Sequence, residues 1–247
     1  MNYIVGDIGN TSTRICLLNN KFLIKKSIIF NTNKIYKKNF KTKIRSFLNK
    51  KINNKILFSS VVPSGLRNIR KAFKNSKFKI IEIKDLDIKK IIKINIKKIN
   101  QLGSDRIVNT IGAKKFKNCL IIDFGTATTF DIIKNGVYEG GVIAPGVKLS
   151  MMNLISSTAL LPTFILKNTK KAYGKNTKEA LNAGFIWGYE GLINNIVNKI
   201  TLKWKMNYKI ILTGGYANFF KKLITKKSLV DQDVTIKGIA RVYEELI

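Results

Sequence analysis

The sequence predicts a mixed α/β fold made of two lobes of similar design. Residues 7–13 and 123–129 share one arrangement, in which an apolar strand ends in a polar turn with Asp-x-Gly and Thr, and a second strand follows. Such a repeat near the start of each half indicates a duplicated domain. The 247 residues, 45% of them hydrophobic, allow one large domain or two smaller domains that share a cleft. We therefore predict lobes at residues 1–114 and 115–247.

The elements of the first lobe follow from its apolar runs and turn residues. Apolar runs on both sides of the first polar turn predict a hairpin, and residues 22–30 predict a third strand. A strand over residues 55–62 ends at a Pro-Ser-Gly sequence, which favours a turn. Helical patterns cover residues 34–50, 66–73 and about 104–117.

The second lobe begins with strands at residues 118–122 and 130–133, on either side of the second polar turn. Asn135 and Gly136 form a typical hairpin turn that leads into a further strand ending near residue 143. The last strand, residues 209–212, leads into Thr-Gly-Gly. Helices are predicted at residues 147–157, 178–203 and 237–246.

The composition excludes several kinds of catalysis. The chain has no histidine, which rules out Ser-His, Cys-His and His-metal sites. Its two cysteines, Cys16 and Cys119, lie in apolar strand-like runs without the spacing of a metal or redox motif. Acid or base chemistry must therefore come from carboxylates, Lys or Tyr.

The formal net charge of +32, from 46 Lys and Arg against 14 Asp and Glu, raises the question of a polyanionic partner. The basic residues are spread along the chain together with Ile and Asn, whereas dedicated nucleic-acid binders more often cluster them. This pattern favours compositional drift, so we expect no specific nucleic-acid partner. Nonspecific, salt-sensitive binding to polyanions is expected in either case.

The chain shows neither a transmembrane run nor a secretory signal. Lys or Asn interrupts the apolar runs well before the roughly 18–20 residues that a membrane-spanning helix needs. The first residues lack a basic region, a long apolar stretch and a cleavage site. We predict a cytoplasmic protein without a membrane partner.

The first polar turn has the features of a phosphate-binding tip. Backbone N–H groups, Gly without a Cβ and several hydroxyls can surround an anion, and an Asp in such a tip suits Mg²⁺ or its water shell. An ordinary hairpin would also use Asp, Gly and Asn, but the recurrence of the pattern in the second half favours function.

A second candidate is the Gly-Ser-Asp-Arg sequence at residues 103–106, which opens a helix. It can be a capping sequence with Ser104 as the N-cap and Asp105 beside the helix dipole. Alternatively, Asp105 is a general base for a substrate hydroxyl, and Arg106 pairs with an anionic group of the substrate. The residues alone leave both interpretations open.

Five motifs occur in order along almost the whole chain: Asp7-Ile8-Gly9-Asn10-Thr11, Gly103-Ser104-Asp105-Arg106, Asp123-Phe124-Gly125-Thr126-Ala127-Thr128-Thr129, Gly140-Gly141-Val142-Ile143-Ala144-Pro145-Gly146 and Thr213-Gly214-Gly215. Each is unspecific alone, but as a set they resemble type III pantothenate kinases. The resemblance implies two duplicated ribonuclease-H-like domains of the actin, sugar-kinase and heat-shock-chaperone superfamily, with an ATP cleft between them. It also implies a homodimer that phosphorylates pantothenate as the first step of coenzyme A biosynthesis.

The resemblance also implies the roles of individual residues. Asp105 would be the general base, and Gly103, Ser104, Asp105 and Arg106 would line the pantothenate site. Asp123 would help to hold a monovalent cation, K⁺ or NH₄⁺, and Thr177 would contact substrate near the dimer interface. Mg²⁺ would accompany ATP, whose phosphates would be bound by Asp7, Ile8, Gly9, Asn10, Thr11, Ser12, Thr13, Arg14 and Thr126.

Two positions depart from the family pattern. The family's Gly-Ala-Asp-Arg has Ser104 in place of Ala, and the aromatic residue expected about seven positions earlier is replaced by Ile96. Three other functions compete with this one: a kinase for another small hydroxyl compound, a nucleic-acid-binding or transcription-accessory protein, and a nucleotide-sensing regulator without turnover. Fold alone does not fix the substrate.

Overall fold

The computed structural model describes residues 1–37, 40–48, 51–169, 171–202, 204 and 206–247. Its strands form two sheets. The first contains five strands in the order β3-β2-β1-β4-β5. Their bounds are β1 Asn2–Ile8, β2 Ser12–Leu18, β3 Ile24–Asn31, β4 Ile52–Ser60 and β5 Lys79–Glu82.

The second sheet has the strand order β11-β10-β7-β8-β9-β6. Its strands are β6 Lys93–Ile94, β7 Cys119–Phe124, β8 Ala127–Lys134, β9 Val137–Pro145, β10 Lys209–Gly214 and β11 Ser228–Val230. Read from β9 to β11, this order repeats that of the first sheet from β3 to β5. In both sheets the central strand is parallel to the next two, as in β1-β4-β5 and β7-β10-β11. The predicted α/β fold with two related halves is therefore confirmed.

The helices of the described residues are α1 Phe40–Ile44, α2 Pro63–Phe73, α3 Ser104–Gly112, α4 Val147–Ser156, α5 Thr177–Thr201, α6 Ala217–Phe220 and α7 Val234–Leu246. None of them combines the length and the apolar character that crossing a membrane requires. The continuous helix predicted over residues 34–50 is wrong, because the backbone at Lys37 is extended and 3-10 turns flank α1. Four residues of that prediction, 38, 39, 49 and 50, lie outside the described residues.

The chain forms two compact units. The first unit consists of residues 1–117, 133–140 and 233–247, and the second of residues 118–132 and 141–232. Both are discontinuous in sequence, because residues 133–140 and the C-terminal helix α7 belong to the first unit. The predicted lobes 1–114 and 115–247 remain a prediction, since compactness alone does not define a duplicated domain.

The central strands of the first unit's sheet are buried on both faces, whereas the edge strand β3 is largely exposed. Along β1, Ile4 and Ile8 pack into one apolar cluster, and Val5 packs into another that includes residues of α3 and α7. Strands covered on both faces carry nearly continuous apolar runs, which is why these strands could be recognised from sequence. Buried Cys16 and Cys119 are free thiols, and burial raises the pKa of Cys119 to about 12.

The helices α3 and α7 pack with their backbones in contact within the first unit. A Cβ on Gly238 of α7 would collide with the carbonyl oxygen of Val108, and one on Gly112 of α3 would collide with that of Val234. Glycine at both positions therefore allows this close crossing. The helix α3 ends at Gly112, earlier than the predicted residue 117, because the backbone of the next residue, Ala113 (φ −92°, ψ 2°), is no longer helical.

Candidate active site

The first candidate tip joins β1 to β2, which pair antiparallel with Asp7 opposite Arg14. The carboxylate residue is therefore in the strand itself, and the turn is limited to residues 9–11. Thr32 fixes this turn from outside, because its hydroxyl donates to the Gly9 carbonyl at 2.6 Å and its N–H donates to the Thr11 carbonyl at 3.0 Å. The tip is thus ordered by the protein before any ligand binds.

The side chains of this tip differ in what they can offer a ligand. Asn10, Thr11 and Ser12 are exposed. Ile8 and Thr13 are fully buried, and the Thr13 hydroxyl is 3.1 Å from that of Thr32. Ile8 and Thr13 can therefore contact a phosphate only through their backbone atoms.

Arg14 is held in place by two side chains. Its Nη2 donates to Asp233 Oδ1 at 2.6 Å, and its Nε donates to Ser27 Oγ at 3.0 Å. Asp233 is the residue immediately before α7. Because both partners of this ion pair are partly exposed, it contributes little stability, but it restricts where the guanidinium points.

The second candidate, residues 103–106, lies at the N-terminus of α3 as predicted. Asp105 Oδ1 accepts a hydrogen bond from the Arg106 N–H at 2.8 Å. Burial raises the pKa of the Asp105 carboxyl above its ordinary 3.8, while the Arg106 N–H and guanidinium and the charge of Lys84 oppose that rise. A carboxylate with a raised pKa is a better proton acceptor, which suits a general base.

The predicted N-cap at Ser104 is wrong. Gly103 occupies the cap position, and no side chain caps the helix. Ser104 is instead fully buried, and its hydroxyl donates to Glu82 Oε1 at 2.6 Å. The Ser104 hydroxyl therefore binds Glu82, 22 residues earlier in the sequence, and does not cap its own helix as local sequence rules predict.

Arg106 lies over an aromatic ring that the sequence reasoning did not identify. Its guanidinium carbon is 6.0 Å from the centre of the Tyr138 ring, at the limit of a cation–π contact. Ile96, which replaces the family's aromatic residue, packs in the same apolar cluster as Tyr138, and the neighbouring Asn95 N–H donates to the Tyr138 carbonyl at 2.8 Å. An aromatic side chain therefore does lie beside this motif, although it comes from β9.

The two candidates of the first unit meet at the carboxyl end of β4. The Val61 N–H donates to the Ile8 carbonyl at 3.1 Å, and Val61 Cγ1 would lie 3.6 Å from a Cβ on Gly103. Ser59 of β4 pairs in register with Asp7. The first tip and the start of α3 are thus neighbours, as a shared site for phosphate and acceptor requires.

The second tip, in the second unit, joins β7 to β8 around Gly125 and Thr126. A Cβ on Gly214 would lie 2.6 Å from Asp123 Oδ1, and this glycine has a φ of +84°. A Cβ on Gly146 would collide with the Thr126 carbonyl. Two of the predicted motifs therefore need glycine, at Gly146 and Gly214, because the second tip packs directly on their backbones.

Thr177 is exposed and is the first residue of α5. The preceding Asn176 caps this helix by accepting the Glu179 N–H at 3.0 Å. A cavity of about 440 Å³ lies beside this helix start, and its lining includes Lys167, Tyr173 and Lys178. The position is accessible to a ligand or to another chain.

The described residues contain no cluster of three or more His, Cys, Asp or Glu that could hold a metal ion. The carboxylates Asp7 and Asp123 instead stand at separate strand ends. Oxygen donors of this kind suit Mg²⁺ that keeps most of its ligands from water and nucleotide phosphates. The residues present therefore fit a metal that arrives with ATP.

Replacing Gly103 by Ala tests the placement of Asp105. The backbone at Gly103 (φ −63°, ψ 142°) suits alanine, but the new Cβ would collide with Asp105 Oδ1. We expect kcat to fall by about 10- to 100-fold, because small displacements of a reacting group are costly, with little change in melting temperature. Gly184→Ala, at a position with no heavy atom within 4 Å of the added Cβ, is the control. Equal kcat in the two variants would show that Asp105 tolerates displacement.

Several solved structures share the fold of this chain. A Campylobacter jejuni protein described as a Baf family transcriptional activator matches with a TM-score of 0.61 at 22% identity, over 98% of each chain. A Listeria monocytogenes protein described as an N-acetylmannosamine kinase matches with a TM-score of 0.56 at 11% identity, over 99% of each chain. The chain thus shares its fold with these two proteins.

Sequence relatives identify the family of this chain. The family model for type III pantothenate kinase matches residues 3–199. The type III pantothenate kinase of Pelagibacter ubique is 47% identical over 96% of this chain and 97% of its own length. That of Fervidobacterium nodosum is 34% identical over 97% of this chain and 96% of its own. The chain belongs to the type III pantothenate kinase family.

Proposed function

We propose that this kinase transfers the γ-phosphoryl group of ATP to a hydroxyl of pantothenate, giving 4'-phosphopantothenate for coenzyme A biosynthesis, with Asp105 as the general base. The observation that carries the proposal is the partly buried Asp105 at the start of α3, beside the first tip, in a member of this family. Use of ATP agrees with a cytoplasmic location.

The proposed reaction needs one proton acceptor and extensive charge neutralisation. The pantothenate hydroxyl oxygen forms a bond to the γ-phosphorus as the bond to the β,γ-bridging oxygen breaks, and ADP leaves. Asp105 accepts the hydroxyl proton, which its raised pKa favours. Phosphoryl transfer otherwise depends mainly on positioning and electrostatics, so most of the remaining residues would bind and orient.

The ATP phosphates are assigned to the two tips. In the first tip, the backbone from Asp7 to Arg14 and the exposed Asn10, Thr11 and Ser12 side chains would contact the phosphates. Thr126 would do so in the second. Mg²⁺, when bound, would neutralise phosphate charge, and Asp7 would face the ion or its water.

Pantothenate would be held by residues 103–106 and by Thr177. Arg106, oriented by Tyr138, would pair with the pantothenate carboxylate. Ser104 is fully buried, so its contribution to that site would be structural. Thr177 would be the contact supplied close to the dimer interface.

The acceptor is tested by product analysis. Purified protein is incubated with Mg²⁺, K⁺, ATP and either pantothenate or another small hydroxyl compound, such as glycerol or a hexose. The products are identified and quantified by mass spectrometry. We expect a phosphate to be added to pantothenate at least about 100-fold faster than to the others, because buried polar groups left unpaired by a wrong substrate are costly. Comparable phosphorylation of another compound would assign a different acceptor.

We infer that Asp123 helps to bind a monovalent cation. Its carboxylate lies beside the backbone of Gly214, where a Cβ would be only 2.6 Å from Asp123 Oδ1. Turnover should be higher in K⁺ or NH₄⁺ than in Na⁺ at equal ionic strength, and this difference should disappear in Asp123→Asn. Equal rates in all three salts for the unchanged protein would remove this role.

The family's homodimer is proposed for this chain on the basis of an exposed apolar surface in the second unit. Leu149 and Met152 lie one turn apart on α4 and are 42% and 57% exposed. Leu160 and Ile165, in the segment that follows, are 92% and 78% exposed. Apolar surface of this extent commonly marks an interface between proteins.

Leu149→Asp with Met152→Asp is expected to convert the dimer to a monomer in sedimentation velocity, because two carboxylates would have to be buried on association. Leu23→Asp, at an exposed apolar position of the first unit, is the matched control and should remain dimeric. A dimer that survives the double substitution would place the interface elsewhere.

A further inference from the structure

Glu82 is a buried carboxylate that the proposed reaction does not use. It ends β5 and is only 7% exposed, in a chain with just 14 acidic residues. Its Oε1 accepts from the Ser104 hydroxyl at 2.6 Å, and its Oε2 accepts from the Lys84 N–H at 2.8 Å. Both carboxylate oxygens are therefore occupied by donors from this chain.

A carboxylate in such a place reduces stability unless its hydrogen bonds offset the cost of desolvation. Burial raises the pKa of Glu82 above its ordinary 4.5, and the hydrogen bonds from Ser104 and Lys84 oppose that rise. An apolar residue would fill the same space without this cost. The presence of a carboxylate at this position is thus better explained by the groups that it binds than by a gain in stability.

What Glu82 holds is the first turn of α3. This helix has no side-chain cap, so the bond between Ser104 and Glu82 is the side-chain link that fixes its first residue to β5. Asp105 is the next residue. The turn after β5 also acts on Asp105 directly, because the charge of Lys84 weakly opposes the rise in pKa that burial causes at Asp105.

The turn after β5 has hydrogen bonds of its own. Asp85 Oδ2 accepts from the Glu82 N–H at 3.2 Å, which closes a capping box around a 3-10 turn. The same oxygen accepts from Arg70 Nη2 of α2 at 2.5 Å. Glu82 therefore connects a well-supported turn to the start of α3.

We propose that Glu82 is a positioning residue that, through Ser104, fixes the start of α3 and with it the orientation of the Asp105 carboxylate. This proposal rests on the role of Asp105 in the proposed function. The proposal also explains why this chain has Ser104 where the family pattern has Ala, since alanine cannot donate a hydrogen bond to Glu82. In this role Glu82 acts through its hydrogen bond with Ser104 and not on the substrate.

Three substitutions test the proposal. Ser104→Ala and Glu82→Ala each break the link, and we expect kcat to fall about tenfold while the KM values for pantothenate and ATP stay within about twofold. Glu82→Gln keeps an acceptor for the Lys84 N–H and can donate its amide to the Ser104 oxygen. Glu82→Gln should therefore keep most of the kcat. If a negative charge at this position were required, the same variant would lose activity.

Thr201→Val is the matched control for a simple loss of stability. It removes a buried hydroxyl that donates to the Val197 carbonyl at 2.7 Å, in a helix of the second unit. We expect it to lower the melting temperature as Ser104→Ala does, without lowering kcat. If Ser104→Ala and Glu82→Ala keep the unchanged protein's kcat, or if Thr201→Val loses as much, the proposal is wrong.

A structural measurement separates this proposal from the proposed function. Crystal structures of the unchanged protein and of Ser104→Ala, grown under one condition, should show the Asp105 carboxylate displaced by about 1 Å or more in the variant. An unmoved carboxylate overturns the positioning role. Should the unchanged protein phosphorylate nothing, the proposed function fails, while this comparison still decides whether Glu82 positions Asp105.

Discussion

Asp105→Asn is expected to lower kcat by about 10²- to 10⁴-fold, the usual contribution of a general base, while ATP binding is retained. The amide can still accept the Arg106 N–H that Asp105 Oδ1 accepts at 2.8 Å, so the local structure should persist. It cannot accept the hydroxyl proton. Single-turnover kinetics and calorimetric titration with ATP measure the two properties. A fully active variant would reduce Asp105 to a helix-start residue.

The same substitution should not destabilise the fold at neutral pH. Because the folded-state pKa of Asp105 is raised, its protonated form favours folding, and that contribution is lost as pH rises through the folded-state pKa. The ionised carboxylate is thus a cost at pH 7 that the neutral amide avoids. Melting temperatures of the two proteins should diverge in favour of Asp105→Asn as pH rises from about 4 to 7. The opposite order would mean that ionised Asp105 stabilises the fold.

Gly238→Ala is expected to cause the largest loss of stability among these single substitutions. The new Cβ would collide with the Val108 carbonyl of α3, and backbone cannot move aside as a flexible side chain can. Overpacking of this kind costs about 1–3 kcal/mol, which lowers Tm by roughly 3–10 °C in a chain of this size. Because α3 begins at Ser104 and carries Asp105, kcat should fall as well.

Gly184→Ala provides the comparison for that effect. It lies within α5 with no heavy atom near the added Cβ, so alanine's higher helix propensity should raise stability by about 0.5–1 kcal/mol. Differential scanning calorimetry on both variants distinguishes a local clash from a general effect of the substitution. If Gly238→Ala melts with the unchanged protein, the close crossing of α3 and α7 is not required.

Much of the fold was accessible from the sequence because its signals are local. The two Asp-x-Gly hairpins were recognisable since strands buried on both faces leave continuous apolar runs with a polar turn between them. The repeated sheet order confirms the duplication inferred from those hairpins. The Asp residues, however, stand in the strands, and the turns are shorter than the polar residues suggested.

The features that were missed depend on partners far away in sequence. Ser104 has the residue type of an N-cap, but a buried Glu82 competes successfully for its hydroxyl. Arg14 pairs with Asp233, 219 residues further along the chain, which no local pattern indicates. For Glu82 the sequence offers only a weak signal: it follows the apolar pair Ile80 and Ile81, where a carboxylate is costly unless it has a partner.

The central claim is tested most directly by measuring ADP release by the purified protein with Mg²⁺ and K⁺, in the presence and absence of pantothenate. The account predicts turnover that depends on pantothenate and falls when Na⁺ replaces K⁺. ATP binding without pantothenate-dependent ADP release would contradict it, and would indicate another acceptor or a regulatory protein that senses nucleotide without turnover.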